Sequence, residues 1–457
     1  MAEERDNRKS VLIVTTVSSF LVPLSLATVN IALPTIGREL GATAIALNWI
    51  ATAYLLTAAM FLVPFGKMAD MFGRRRIFIY GMWWFTATSF CLGMAPSAGV
   101  LIFLRALQGV GAAMIFGTAV AIVSSVFPPG ERGRALGINI AAVYMGLSCG
   151  PFFGGILTQQ IGWRSVFFIN VPMGLFVILL SIRKLKQEWM EAKGESFDFV
   201  GSFIYVLMLL MIMYGFSCLP SAAGGVFILL GAAAVGTLIW WELRTENPVL
   251  EIRLFITNKA FTFSNVAALI SYSATFAVGF LMSFYLQSIK GLTPQNAGII
   301  LVSQPIVQAA FSPLAGRLSD RIEPRRVASA GMTVTAAGLL LLAFLQRETS
   351  LTFIAMSLVI LGFGFALFSS PNTNAVMSSV EKRFYGIASS TLGTMRLVGQ
   401  MLSMGIAMLV FAVYMGKTAI TPQYNDLLLK SIKVIFSIFV VLCAAGIFAS
   451  LKRGKLH

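Results

Sequence analysis

Long, nearly uninterrupted apolar runs constrain this chain more than any other feature. They fall near 11–33, 45–65, 77–95, 98–127, 135–157 and 165–182, then near 199–219 and 223–241. Six more follow near 261–286, 295–315, 327–346, 351–371, 387–414 and 431–450. A helix that crosses a bilayer needs about 20 apolar residues. Backbone groups in lipid must bond within their own segment, so such runs predict helices. Only 11% of residues are charged and 57% are hydrophobic, too few charges to cover soluble domains, which carry about 25% charged residues. The expectation is an all-α polytopic membrane protein with fourteen transmembrane helices. MAEERDNRKS leads into the first run with no convincing cleavage site, which predicts a retained first span rather than a signal peptide.

Charge sets the orientation. With the N-terminus inside, 25 Lys and Arg fall in inside segments and seven in outside loops. That asymmetry predicts cytoplasmic termini and a multi-pass protein of the cell (inner) membrane. It also reassigns the +16 net charge from nucleic-acid binding to topology, so no nucleic-acid partner is expected. Two bases remain inside spans, Arg105 and Arg396.

The chain repeats itself. GKMADMFGRRR at 66–76 follows the second run, and GRLSDRIEPRR at 316–326 follows the tenth, 250 residues later. A second echo pairs Glu131 and Gly137 with Glu381 and Gly386. Chance likeness of two basic loops is the plain alternative, but matching Gly, Asp and paired Arg argue against it. The expected domains are a tail 1–10, a six-helix bundle 11–183, a linker 184–198, a two-helix insert 199–241, a linker 242–260, a six-helix bundle 261–450 and a tail 451–457. Two such halves are what a rocking transporter with a midplane site requires.

Several stretches then match a known pattern. GKMADMFGRRR is similar to the loop motif after the second span, and LIFLRALQGVGAA, with Arg105, Gln108 and Gly109, to a motif of the fourth. GLSCGPFFGG at 146–155 looks like an antiporter motif of the fifth span, and WRSVFFINVPMG like the opening of the sixth. NWIATAYLL and FYLQSIKGLTPQNAG also match. Over nearly its whole length the sequence resembles the major facilitator superfamily, specifically its fourteen-span drug:proton antiporter branch. The resemblance implies export and associates Arg105 with proton coupling.

The residues suggest roles of their own. Gly66, Asp70, Arg74 and Arg75, with Gly316, Asp320 and Arg325, are gating candidates. Gly66 allows close helix approach, and Asp70 can accept from a helix N-terminus or from Arg75. A solvated loop that only sets orientation is the alternative. Gly146, Gly150 and Gly154 share one helix face, and Pro151 bends that helix, so this stripe is expected to pack tightly. Candidate cavity residues are Asn30, Tyr54, Arg105, Gln108 and Tyr144 in the first half. In the second they are Asn265, Tyr272, Gln304, Asn374 and Arg396. Helix–helix hydrogen bonding is the competing role for each. Trp83, Trp84, Trp163, Trp240 and Trp241 read as interface anchors. RKLKQEWMEAKGESFD at 183–198 reads as a solvated linker, and the insert as peripheral.

None of the 18 acids lies mid-span. The family's first span usually carries an Asp before a stretch ending in Ala-Leu-Pro. Here it reads LSLATVNIALP, with Ser25 in the place of the Asp. Coupling then uses a span-end acid such as Glu39, Asp70 or Glu242, or the substrate carries the charge, or the protein is a uniporter. Two arginines without an acid favour neutral or anionic amphipathic compounds over cations.

The leading expectation is a secondary active transporter that exports small amphipathic compounds by alternating access, as a monomer, with a proton or another coupling ion. The alternatives are a dedicated exporter or uniporter of an endogenous neutral or anionic lipid-like metabolite, and a non-transporting sensor. No GxxxxGK[ST] loop indicates an ATP-driven pump. The cysteines form no CxxC pair and the one histidine is terminal, so no metal, cofactor or enzymatic centre is expected.

Overall fold

The computed structural model describes residues 2–41, 44–128, 130–185, 187–219, 221–250, 252–292, 294–415 and 425–453. Lys417, Lys455 and His457 lie outside the described residues, as do the side chains of Asn30 and Pro151.

The described chain is helical. The first half comprises α1 (Ala2–Leu40), α2 (Ala44–Phe72), α3 (Arg74–Gly93), α4 (Ala98–Val126), α5 (Arg132–Gln160) and α6 (Asn170–Lys184). Two helices follow, α7 (Phe199–Ser217) and α8 (Ala222–Glu242). The second half comprises α9 (Lys259–Thr275), α10 (Ser303–Arg321), α11 (Pro324–Ala343), α12 (Leu351–Ser378), α13 (Tyr385–Met415) and α14 (Asn425–Lys452). A short helix, Val278–Phe284, prolongs α9, and another, Pro294–Leu301, precedes α10. Among the described residues, twelve helices are long and apolar enough to cross a membrane. Two of the fourteen sequence runs fall outside that set. The described apolar part of α7, Phe199–Gly215, is too short. α3 opens on three arginines and carries Trp83 and Trp84, which lower its hydropathy.

Local chemistry sets the helix ends. Gly73, at φ 115, turns the chain between α2 and α3 where an L side chain would be strained. Ser97, Ser221, Asn258 and Ser350 cap α4, α8, α9 and α12 by accepting a backbone N–H three residues on.

Within the first half, α1 lies against α5, and α4 against α2 and α3. In the second, α12 lies against α10 and α11, and α9 and α11 against α14. The halves meet along α2–α13 and α5–α10, pairings that the sequence repeat interchanges. One apolar cluster, including Val123, Leu136, Phe261, Val376 and Tyr385, joins them at the end of the bundle that holds Arg8 and Arg453, called here the basic end. At the far end, the cluster around Leu101, Trp163 and Phe167 draws on the first half alone. The large second-half core draws on that half alone. The described contacts therefore close the basic end.

Trp83, Trp84 and Trp240 are exposed as anchors would be. Trp163 is instead buried, its indole N–H donating to Glu39 at 2.8 Å, and Trp241 donates to Asp198 at 3.0 Å. These two indoles serve hydrogen bonds within the protein.

Candidate functional site

Two carboxylates tie the halves together. Asp70, near the end of α2, accepts the backbone N–H of Gly386 at 3.0 Å and of Ile387 at 3.2 Å. Both donors lie in the first turn of α13, where unpaired N–H groups and the helix dipole favour a negative charge. Arg74 pairs with Asp70 at 2.7 Å, and both side chains are fully buried. Its guanidinium also donates to the Lys382 carbonyl at 2.5 Å and to Ser125 at 2.7 Å. Of the two partners expected for Asp70, a helix N-terminus and Arg75, the first is present and the second is replaced by Arg74. The turn at Gly73 brings Arg74 back over Asp70, while the Arg75 N–H goes to Glu188 at 2.8 Å. The helices cross very closely here. A Cβ on Gly66 would sit 2.2 Å from the Ser390 hydroxyl and 2.6 Å from the Gly386 carbonyl.

Asp320, at the end of α10, makes the mirrored contact. It accepts the N–H groups of Gly133 at 2.8 Å and Arg134 at 3.0 Å, in the first turn of α5. A Cβ on Gly316 would lie 2.0 Å from the Gly133 carbonyl. Each half therefore presents an accepting carboxylate to a helix start of the other. The two latches are not equal. Pro324 stands where the repeat would place a counterpart of Arg74. Asn374 assists Asp320 instead, at 3.5 Å, and donates to the Ser319 hydroxyl at 3.1 Å. Asn374, expected at the cavity, thus sits in this latch. Arg325 opens α11 near Arg453, which is buried against Ser450 and Ser264.

The stretch 184–198 is not a free solvated linker. Leu185 and Trp189 are buried in the first-half core. Glu188 accepts the Arg75 N–H, the Trp189 carbonyl accepts the Arg74 N–H at 3.1 Å, and the Ala192 N–H donates to the Asp70 carbonyl at 3.1 Å. Lys67 pairs with Glu195 at 2.5 Å. The segment is a strap across the backbone of the Asp70 latch. It leads into α7, whose Tyr205 hydroxyl meets Thr394 of α13 at 2.8 Å and the Ala59 carbonyl of α2 at 3.4 Å. α8 is peripheral, but α7 touches both halves.

Arg105 is fully buried within the first half. It donates to the Ile50 carbonyl at 3.1 Å and to Gln108 at 2.6 Å, and its guanidinium lies 4.3 Å from the centre of the Tyr54 ring. Gln108 passes the chain on to Ser89 at 2.7 Å. Tyr54, Arg105 and Gln108 thus form one brace between α2, α3 and α4.

Tyr144, Tyr272 and Arg396 come together elsewhere, at mid-span. Tyr144 of α5 and Tyr272 of α9 share a small buried cluster with Phe365 of α12. Phe365 meets both edge-on, with ring centres 5.8 Å from Tyr144 and 5.1 Å from Tyr272. The Arg396 guanidinium lies 5.7 Å from the Tyr272 ring and donates to Thr373 at 2.5 Å. Gln304 is half-buried on α10. Asn265 donates to the Phe261 carbonyl of its own helix at 2.9 Å. Thr373 and Phe365 escaped the sequence reading. The signal was present in SSPNTN at 369–374, a polar stretch inside an apolar run, all of it buried.

Gly146, Gly150 and Gly154 all approach α1. A Cβ on them would meet Phe20, Ala27 and Thr28 at 2.4, 2.2 and 2.9 Å. Ser25 is buried and accepts from Asn170 at 3.1 Å, a neutral pair. Glu39 lies beyond the Arg8–Val29 span. Its hydrogen bond from Arg164 holds its carboxyl below the usual range. Glu242 adjoins the Leu250 N–H at 3.4 Å. Among the described residues no carboxylate is ion-paired to Arg105 or Arg396, and no cluster suited to a metal ion occurs.

The match to known proteins covers the chain. The Major Facilitator Superfamily matches residues 15–244 and 265–455. The riboflavin transporter RibZ of Clostridioides difficile is 32% identical over 84% of this chain and 84% of its own. The multidrug resistance protein Stp of Mycobacterium tuberculosis is 32% identical over 89% of this chain and 76% of its own. The crystal structure of the human organic anion transporter MFSD10 superposes with a TM-score of 0.68, covering 98% of this chain and 99% of that one. At 13% identity that likeness establishes the fold alone. The protein is a multi-pass membrane transporter of small molecules, not an enzyme, and belongs to the Major Facilitator Superfamily.

Proposed function

We propose that the chain exports small amphipathic compounds from the cell by alternating access. The observation that carries this reading is the pair of reciprocal latches. Asp70 holds α13 and Asp320 holds α5, so the basic end is shut by contacts that can break together when the halves rock. Stp, a multidrug resistance protein by name, supports an amphipathic substrate.

The basic end faces the cytoplasm on this reading, as the distribution of Lys and Arg favours. With α3 and α7 added to the twelve apolar helices, fourteen spans cross the cell membrane in a 6+2+6 order. The monomer suffices, since both halves lie in one chain.

A second reading is a dedicated exporter or uniporter of one neutral or anionic metabolite. The Ser25–Asn170 pair favours it, because neither group titrates near neutrality and a proton carrier needs one that does. RibZ, a riboflavin transporter by name, fits this reading too.

Reconstitution into liposomes under an imposed pH gradient tests both, with cationic, neutral and anionic amphiphiles as the panel. Substrate-dependent proton flux establishes antiport. Substrate flux without proton flux establishes the uncoupled reading. Flux of no panel member removes multidrug export.

A further inference from the structure

The two intramembrane arginines do different work, and their surroundings say which one meets substrate. Arg105 is fully buried and engaged on three sides by Ile50, Gln108 and Tyr54, leaving only Nη2 without a partner. No ligand reaches it without dismantling the α2–α4 contact, where a Cβ on Gly109 would already lie 2.1 Å from Thr57.

Arg396 differs in its burial and in its partners. It is only half-buried although it sits mid-span. One hydroxyl and one ring face are its partners, and its Nε is enclosed with no acceptor. A guanidinium in a membrane span is costly unless compensated. A ring face and a hydroxyl do so only in part, because neither carries a negative charge. An anion of carboxylate or sulfonate type can present two oxygens to the guanidinium fork and supplies the missing acceptor. Beside it stand Tyr272, Phe365 and Tyr144, buried and set edge to face, aromatic partners of the kind a flat aromatic body packs against.

Resting on the export reading above, we propose that Arg396, Tyr272, Phe365 and Thr373 form the substrate's anion subsite, and that it takes planar aromatic monoanions. Four of these contacts come from the second half, whereas Tyr144 comes from the first. A ligand held by Arg396 and resting on Tyr144 touches both halves, so its affinity depends on how they are rocked together. Arg105 is a structural brace in this scheme.

The test uses one aromatic body in three charge states: naphthalene-2-sulfonate, naphthalene-2-sulfonamide and a naphthyl-trimethylammonium ion. Binding to the purified full-length protein is measured by calorimetry, and transport separately in proteoliposomes. The wild type is expected to bind the sulfonate at least tenfold more tightly than the sulfonamide, with the cation weakest. Arg396→Gln is expected to abolish that preference and Arg396→Lys to retain part of it. Equal binding of the three probes by the wild type, or a preference unchanged in folded Arg396→Gln, overturns the subsite. Transport of all three at equal rates overturns the subsite and leaves export standing. Sulfonate binding lost in Arg396→Gln, with no transport of any probe, supports the subsite and counts against multidrug export.

Discussion

Both carboxylate oxygens of Asp70 lie 3.0 Å from the backbone nitrogen of Gly386, across the seam between the halves. Asp320 faces Gly133 in the same manner at 2.8 Å, from the other half. Hydrogen bonds to a charged group contribute about 1.5–3 kcal/mol each, and a tenfold change in an equilibrium takes about 1.4 kcal/mol. Each latch is thus strong enough to set which end is closed.

Asp70→Asn should therefore open the basic end, and more so than Asp320→Asn. The first change also leaves Arg74 buried without its counterion, a loss of about 3–5 kcal/mol, whereas Asp320 has no paired arginine. Labelling of Ser390→Cys by a membrane-impermeant maleimide from the basic side measures this, in a background free of the four native cysteines. The rate should rise at least tenfold in Asp70→Asn. Equal rates in the two Asn variants would contradict the asymmetry.

Gly66→Ala and Gly316→Ala should abolish transport while the protein still folds. The added methyl groups collide with the facing backbone only when the basic end is shut. Gly155→Ala, with open space at its Cβ, is the control and should transport normally. Full activity in Gly66→Ala would show that this crossing is not part of the cycle.

The strap should stabilise the first half. Glu188 accepts from the start of α3 at 2.8 Å, as a capping carboxylate does, and losing it should cost about 0.5–2 kcal/mol. Thermal unfolding of Glu188→Gln in detergent should show a lowered midpoint. Glu191→Gln, at an exposed position of the same segment, should leave it unchanged. A Glu188→Gln midpoint equal to wild type would restore the solvated linker.

Glu39 gives a pH signature. Its carboxyl is held below its ordinary value of 4.5, first by the hydrogen bond from Arg164. The folded pKa lies below the unfolded one, so its contribution is fully present above pH 4.5 and fades as pH falls through the folded value. The difference in midpoint between wild type and Glu39→Gln should be constant from pH 7 to 5 and shrink below 4.5. A difference that grows on acidification would reverse the assigned sign.

Much of this was legible in the residues. The 250-residue repeat located both latches, because a glycine and an aspartate recur four residues apart at the same place in each half. What it could not reveal was the partner. Whether Arg74 or Arg75 turns onto Asp70 depends on the φ of Gly73, a single dihedral. Arg105 lies in a motif and Arg396 does not, but by charge alone each is one base in an apolar run. Only tertiary contacts separate a fully buried brace from a half-buried arginine whose one hydrogen-bond acceptor is a hydroxyl. Charge misled at 183–198, where alternating acids and bases read as solvated. Leu185 and Trp189 were the contrary signal, two apolar anchors that fix the strap.

The central claim is that the latched basic end opens during the cycle. Spin labels at Arg134 and Arg383, exposed and on opposite halves, report it through their distance distribution by double electron–electron resonance. Two populations are expected in the wild type, a short one matching the latched form and a longer one. In Asp70→Asn the weight should move to the longer. A single short distance, unchanged by Asp70→Asn, would contradict alternating access through this gate.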